Sequence, residues 1–198
     1  MSVATADLSR AILDAARALV AGDGYASLSM RKVARHVGCS PGAIYLYYES
    51  KDALYAALID EAVGLLIDAY RPAEGIADPV ERLEAFCRTY VRFALDYPEL
   101  YKVMYLELRV DPGAVSPDGY RRAQKPLQDT ADALAEAHAA GRLHAPTPLE
   151  GATVVWAALH GMLSLLLARQ VDPRADRDRL LDLAIAHVIA GFRRAPEA

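Results

Sequence analysis

Apolar residues recur every three or four positions along almost the whole chain, and no stretch alternates as a half-buried strand would. Leu8, Ile12, Ala15, Ala16 and Leu19 form one such stripe, and Met30, Val33, Ala34 and Val37 a second, shorter one. Leu54, Leu58, Ala62, Leu65 and Ala69 mark a long helix to about Tyr70, and Val80, Leu83, Cys87, Tyr90, Val91 and Ala94 a fifth. The punctuation agrees with these stripes. Gly22–Asp23–Gly24 ends the first helix, Ser29 is an N-cap, Gly38 is a stop, and Ser40 precedes Pro41 as cap and first helical residue. Ser50 with Asp52 opens the fourth helix, and "RPAEGIADP" (71–79) reads as a linker. "YPEL" (97–100) breaks the fifth helix and starts a sixth, and a loop is expected over 109–119. A further helix runs to about Ala140 with a kink at Pro126, followed by helices over 148–170 and 174–194. The pattern predicts an all-α chain of about nine helices.

Composition narrows the class. With 198 residues and 54% hydrophobic content the chain can bury real cores. The net charge is −4, yet residues 29–51 carry Arg31, Lys32, Arg35 and Lys51 against Glu49 alone. A local basic patch on an acidic protein suggests a polyanion partner, although charged helix faces are usually just solvated. Cys39 and Cys87 are the only cysteines, so neither a disulfide framework nor a four-cysteine zinc site is expected. His36, His138, His144, His160 and His187 have no metal-ligand spacing, and no metal or cofactor is expected. No signal pattern opens the chain, which points to the cytoplasm. The uncharged run Gly151–Ala168 reaches the lower length limit for a membrane span, but Thr153, His160, Ser164 and two glycines favour a buried or interface helix.

Two short helices joined by Gly38–Cys39–Ser40 fit a helix-turn-helix, whose second helix reads the major groove. Cys39 fills a small apolar position at the turn; a redox sensor is the other use for it. At about 100° per residue, Ile44 and Tyr48 share a core face with Pro41 close by. Gly42, Ala43 and Leu46 lie opposite, small or apolar residues that let bases approach. Tyr45 and Tyr47 fall on the two flanks, within reach of phosphates. Lys51, Ser29 and Arg31 supply further phosphate contacts from the neighbouring helices. The bland alternative is a helical hairpin whose tyrosines are all core.

The segment "SLSMRKVARHVGCSPGAIYLYYESKDALYAALI" (27–59) resembles the DNA-binding part of the TetR family of bacterial transcriptional regulators, with Gly38, Ser40, Gly42, Tyr45, Tyr48, Lys51 and Leu54 at the family's spacing. The resemblance implies an N-terminal helix-turn-helix domain over 1–50 and a helical effector-binding and dimerisation domain over 51–198. It implies phosphate contacts for Ser29 and Lys51, phosphate or base contacts for Tyr45 and Tyr47, and base-facing positions for Arg31, Ser40, Pro41, Gly42, Ala43 and Leu46. Tyr47 stands where the family often has histidine. Glu49 stands where proline or lysine is commoner, and a carboxylate there weakens phosphate pairing by Lys51 unless it points away.

The C-terminal part resembles the family more loosely. "YPELYKVMY" (97–105) and "WAALHGMLSLL" (156–166) look like a subgroup marked by Trp, then His-Gly, here Trp156, His160 and Gly161. Trp156 and His160 share a helical face, and Gly161 permits close helix approach. Phe86, Tyr90, Phe93, Tyr101, Met104, Tyr105, Trp156 and His160 are candidates for an effector pocket, although such residues also make ordinary core. The last two helices are the expected dimer surface, a four-helix bundle from two chains, with Leu163, Leu167, Leu181, Ala184 and Val188 as candidates. A homodimer is also needed because one short helix reads few bases. No Ser-His-Asp set, carboxylate pair or phosphate loop suggests an enzyme. The expected partners are double-stranded operator DNA, a second copy of the chain and a small apolar or aromatic effector, with no membrane.

Overall fold

The computed structural model describes residues 3–105 and 117–193. Among these are nine α-helices and no strand: α1 Val3–Asp23, α2 Met30–Val37, α3 Pro41–Tyr45, α4 Lys51–Glu74, α5 Pro79–Asp96, α6 Pro98–Tyr105, α7 Pro117–Ala139, α8 Pro148–Leu167 and α9 Arg177–Ala190. The all-α expectation holds. A single 3-10 turn, Tyr25–Ser27, links α1 to α2.

The boundaries follow capping chemistry. Gly24 and Gly38 take positive φ, at 74° and 79°, where a side chain would be strained. Ser29 and Ser40 accept hydrogen bonds from the backbone N–H of Lys32 and Ala43, each at 3.2 Å, satisfying otherwise orphaned donors at the starts of α2 and α3. Ser50 does the same for α4, accepting from Ala53 N at 3.0 Å. Asp176 caps α9, accepting from Arg179 N at 2.9 Å, so that helix starts at Arg177 and not at 174.

One expected linker is partly helix. α4 continues through Pro72 to Glu74. Proline removes one hydrogen bond, but Tyr70 and Ala73 are buried on the same last turns, and their packing holds them. Pro126 likewise sits inside an uninterrupted α7, where Thr130 Oγ1 donates to its carbonyl at 2.9 Å. The loop expected over 109–119 lies outside the described residues as far as 116, and α7 opens at Pro117.

The chain packs as two units. The first is Met1–Leu65 with Tyr97–Ala123, the second Leu66–Asp96 with Gln124–Ala198. The first is built on Ile12, Ala16, Leu28, Val33, Ile44, Leu54, Tyr55 and Leu58, with Val103 of α6 in the same cluster. In it, α1 is tied to α4 by an Arg17–Glu61 pair at 2.5 Å, and α7 to α4 by Arg122–Asp60 at 2.5 Å. In the second, α8 packs on α9, and both pack on α5.

Candidate nucleic-acid interface

α3 is sharply two-sided. Ile44 is fully buried, whereas Tyr45 is 52% and Leu46 85% exposed. Pro41 and Gly42 are exposed and Ala43 half-buried, so the small-residue face expected to meet bases is open to solvent. A Cβ added at Gly42 would meet only Ser40 Oγ, at 3.8 Å, so nothing inside the chain requires glycine there. Cys39 is half-buried against the core, as its place in the turn suggested.

Tyr47, expected on a flank of α3, is half-buried, with part of its ring against the same core as Tyr48. α3 ends at Tyr45, but Leu46 keeps helical angles and the Tyr48 N–H still donates to the Ile44 carbonyl at 3.0 Å, so the helical turn carries on past the helix end. Tyr48 is also only half-buried, its hydroxyl 3.3 Å from Ser9 Oγ.

The helix packed against α3 is basic. Arg31, Lys32 and Arg35 of α2 are exposed. Among the described residues none of them is committed to an ion pair, whereas Arg10, Arg17, Arg82, Arg88, Arg122 and Lys125 all are. Uncommitted cations suit phosphate contact, which replaces condensed counterions. Ser29 and Ser40 are used as caps through an oxygen lone pair, and each hydroxyl proton is left to donate outward.

Lys51 is held in a way the sequence did not disclose. Its Nζ lies 3.8 Å from the centroid of the Tyr25 ring, a cation–π contact. The Tyr25 hydroxyl donates to the Asp52 carboxylate, and its ring meets Tyr55 edge-on at 4.6 Å. Burial, then the Asp52 hydrogen bond and charge, push the Tyr25 phenol up to about 12. The Tyr55 hydroxyl donates in turn to the Val103 carbonyl of α6 at 3.1 Å. No periodicity marks Tyr25, which sits in a 3-10 turn far in sequence from its partners. Glu49 is exposed.

The effector candidates divide between the units. Tyr101, Met104 and Tyr105 belong to the first, where Tyr101 is fully buried with its ring 5.1 Å from that of Tyr105. Burial pushes the Tyr105 phenol up. Phe86, Tyr90, Phe93, Trp156 and His160 belong to the second. There Phe86 stacks on Tyr70 at 4.8 Å, and Trp156 Nε1 donates to the Tyr90 hydroxyl at 3.0 Å. Phe93 is buried, and His160 lies 5.4 Å from the Trp156 ring, its pKa lowered by burial.

The dimer candidates need correcting. Leu163 and Leu181 are buried within the chain itself and are not available to a partner. Leu167, Ala184 and Val188 are half-buried. α8 is apolar on both sides: Gly151, Ala152, Val155, Leu159 and Leu163 are buried, while Val154, Ala157, Ala158, Gly161, Leu165 and Ala168 are exposed. α9 exposes Leu183, Ala186, His187 and Ala190. α8 is also the one helix among the described residues long and apolar enough to cross a membrane. No group of three or more metal-ligating side chains occurs among the described residues.

Comparison with known proteins agrees with this geometry. The family described as "Bacterial regulatory proteins, tetR family" matches residues 12–58, and "Tetracyclin repressor-like, C-terminal domain" matches residues 83–188, more than half of the 198 residues. The chain belongs to the TetR family. It is thus a helix-turn-helix, DNA-binding transcriptional regulator. An uncharacterized HTH-type transcriptional regulator of Mycobacterium tuberculosis is 33% identical over 90 residues, 45% of each chain. The matched stretch therefore spans under half the length of that relative. A protein of unknown function from Rhodococcus sp. RHA1 has the same fold at a TM-score of 0.80 and 28% identity, covering 94% of this chain and 96% of its own. FadR of Bacillus subtilis, solved with stearoyl-CoA, shares the fold at a TM-score of 0.73 and 19% identity, covering 93% and 99%.

Proposed function

We propose that this TetR-family chain is a ligand-responsive repressor, released from its operator by a small apolar or aromatic effector. Residues 1–50 read DNA, and residues 51–198 bind effector and dimerise. The observation that carries the reading is the two-sided α3, with Ile44 buried and its C-cap Leu46 85% exposed, packed on α2 with its exposed cations. Tyr45, Ser29, Arg31 and Lys51 take phosphate contacts, and Pro41, Gly42, Ala43 and Leu46 face bases. Ser40 joins them through its hydroxyl proton, and Tyr47 takes a phosphate or base contact from its flank.

The exposed apolar stripes of α8 and α9 support a homodimer built from these two helices, which also accounts for the apolar character of α8 without a membrane. Leu165, Val154 and Leu183 take the central places first assigned to Leu163 and Leu181, with Leu167, Ala184 and Val188 beside them. Two copies set two reading helices at the spacing of half-sites, about 34–36 Å in B-DNA. Trp156, Tyr90, Phe86, Phe93 and His160 are the favoured effector-binding residues of the second unit. The Trp156–His160–Gly161 spacing fits the subgroup that the sequence resembles. FadR supports a ligand with an apolar part, since a protein of this fold holds stearoyl-CoA, whose acyl chain is apolar. The setting is cytoplasmic.

The test is a gel shift with DNA from upstream of the chain's own gene at several salt concentrations. Binding that weakens steeply with salt is expected, and Tyr45→Ala should lower affinity for every sequence with the slope kept, since a neutral phenol displaces no counterion. Full affinity for Tyr45→Ala at all salt concentrations would contradict this docking.

A further inference from the structure

The reading face of α3 has an unusual chemical vocabulary. From Gly38 to Tyr48 the chain contains no arginine, lysine, histidine, asparagine, glutamine or acid. The side chains that form bidentate bonds to guanine or adenine are therefore absent from this helix and its flanks. What this segment presents is apolar: Leu46, the C-cap of α3, at 85% exposure, with Pro41 exposed and Ala43 half-buried on the helix itself. The one exposed hydroxyl on the helix itself is that of Tyr45, and the Ser40 oxygen already caps α3.

An exposed leucine is unremarkable alone. The helix packed against α3 carries the exposed cations Arg31, Lys32 and Arg35, and with the DNA-reading function proposed above the surface that meets this leucine is the phosphate-flanked major groove. In that groove the one apolar group on a base edge is the 5-methyl of thymine.

We infer that α3 reads its half-site through thymine methyl groups, with Leu46 as the specificity-determining residue. The inference rests on the DNA-reading function proposed above. It assigns A·T pairs to the positions opposite α3 and leaves guanine recognition to Arg31 of α2, which carries the forked donor that α3 lacks.

The experiment selects duplexes from a randomised pool with the full chain, then replaces thymines in the enriched duplex by uracil one at a time. At one position per half-site the lost methyl should weaken binding about fourfold, the value of withdrawing about one methyl from water, and about fifteenfold when both half-sites lose it. Leu46→Ala should bind thymine and uracil duplexes equally, with the salt slope and melting temperature of the parent. Leu46→Met should keep the discrimination. Uracil copies that all bind like the parent duplex would overturn the inference and leave the DNA-binding function standing, as would full discrimination by Leu46→Ala. A pool that yields no enriched duplex would overturn both.

Discussion

Gly161 lies near the middle of α8, exposed, and a Cβ built on it meets nothing within 4 Å. Glycine inside a helix costs about 1 kcal/mol relative to alanine, so within one chain Gly161→Ala can only help. In a chain of this size that gain should raise the melting temperature of the dilute monomer by about 2–4 °C. In the dimer the sign reverses. Gly161 sits among Val154, Ala157, Ala158, Leu165 and Ala168, the stripe assigned to the partner's helices. Forcing a methyl into a close helix contact costs about 1–3 kcal/mol, and a symmetric interface contains the site twice, so the dissociation constant should rise by at least about 30-fold. Sedimentation equilibrium gives the constant, and a urea titration at low concentration gives the monomer's stability. Gly22→Ala is the control: its added Cβ also meets nothing within 4 Å, but it lies on α1, so it should leave dimerisation unchanged. A Gly161→Ala dimer as tight as the parent would refute the close approach at this position.

Gly42→Ala applies the same logic to DNA: the fold accommodates the methyl, and melting should hold or rise while DNA affinity drops about tenfold, the scale of a forced contact. A gel shift with unchanged affinity would show that the groove does not approach the backbone there. Burial lowers the His160 pKa, so its contribution to stability is complete above the ordinary value of 6.5 and is lost as pH falls through the lower folded value. The urea midpoint should therefore fall on acidification, and fall less in His160→Gln; equal falls would contradict this. Cys87 is buried with its thiol pushed up to about 12, while Cys39 is half-buried, so mass spectrometry after brief alkylation at pH 8 should find one label per native chain, on Cys39. Two rapidly labelled thiols would rule out the packing of α5.

What the sequence disclosed and what it withheld have separate physical causes. Caps are local: a serine oxygen reaches a backbone N–H three residues on, so Ser29, Ser40 and Gly38 located the helix-turn-helix correctly. Periodicity finds an amphipathic face, but α8 is apolar all round, and nothing in its spacing says which side the chain keeps for itself. Leu163 went inward and Leu165 outward for reasons set by α5 and α9. The Lys51–Tyr25–Tyr55 contacts join the Tyr25–Ser27 turn to the first turns of α4, and pairing between elements far apart in the chain leaves no trace in a single sequence.

The bond from Tyr55 to the Val103 carbonyl gives those contacts a mechanical meaning. Any shift of α6 along its axis must either break that bond or drag Tyr55 with it, and Tyr55 lies against the ring that seats Lys51. Tyr55→Phe would keep the packing and cut the tether. Such a chain would keep its fold, while a shift of α6 would no longer reach Tyr25 and Lys51 through this bond.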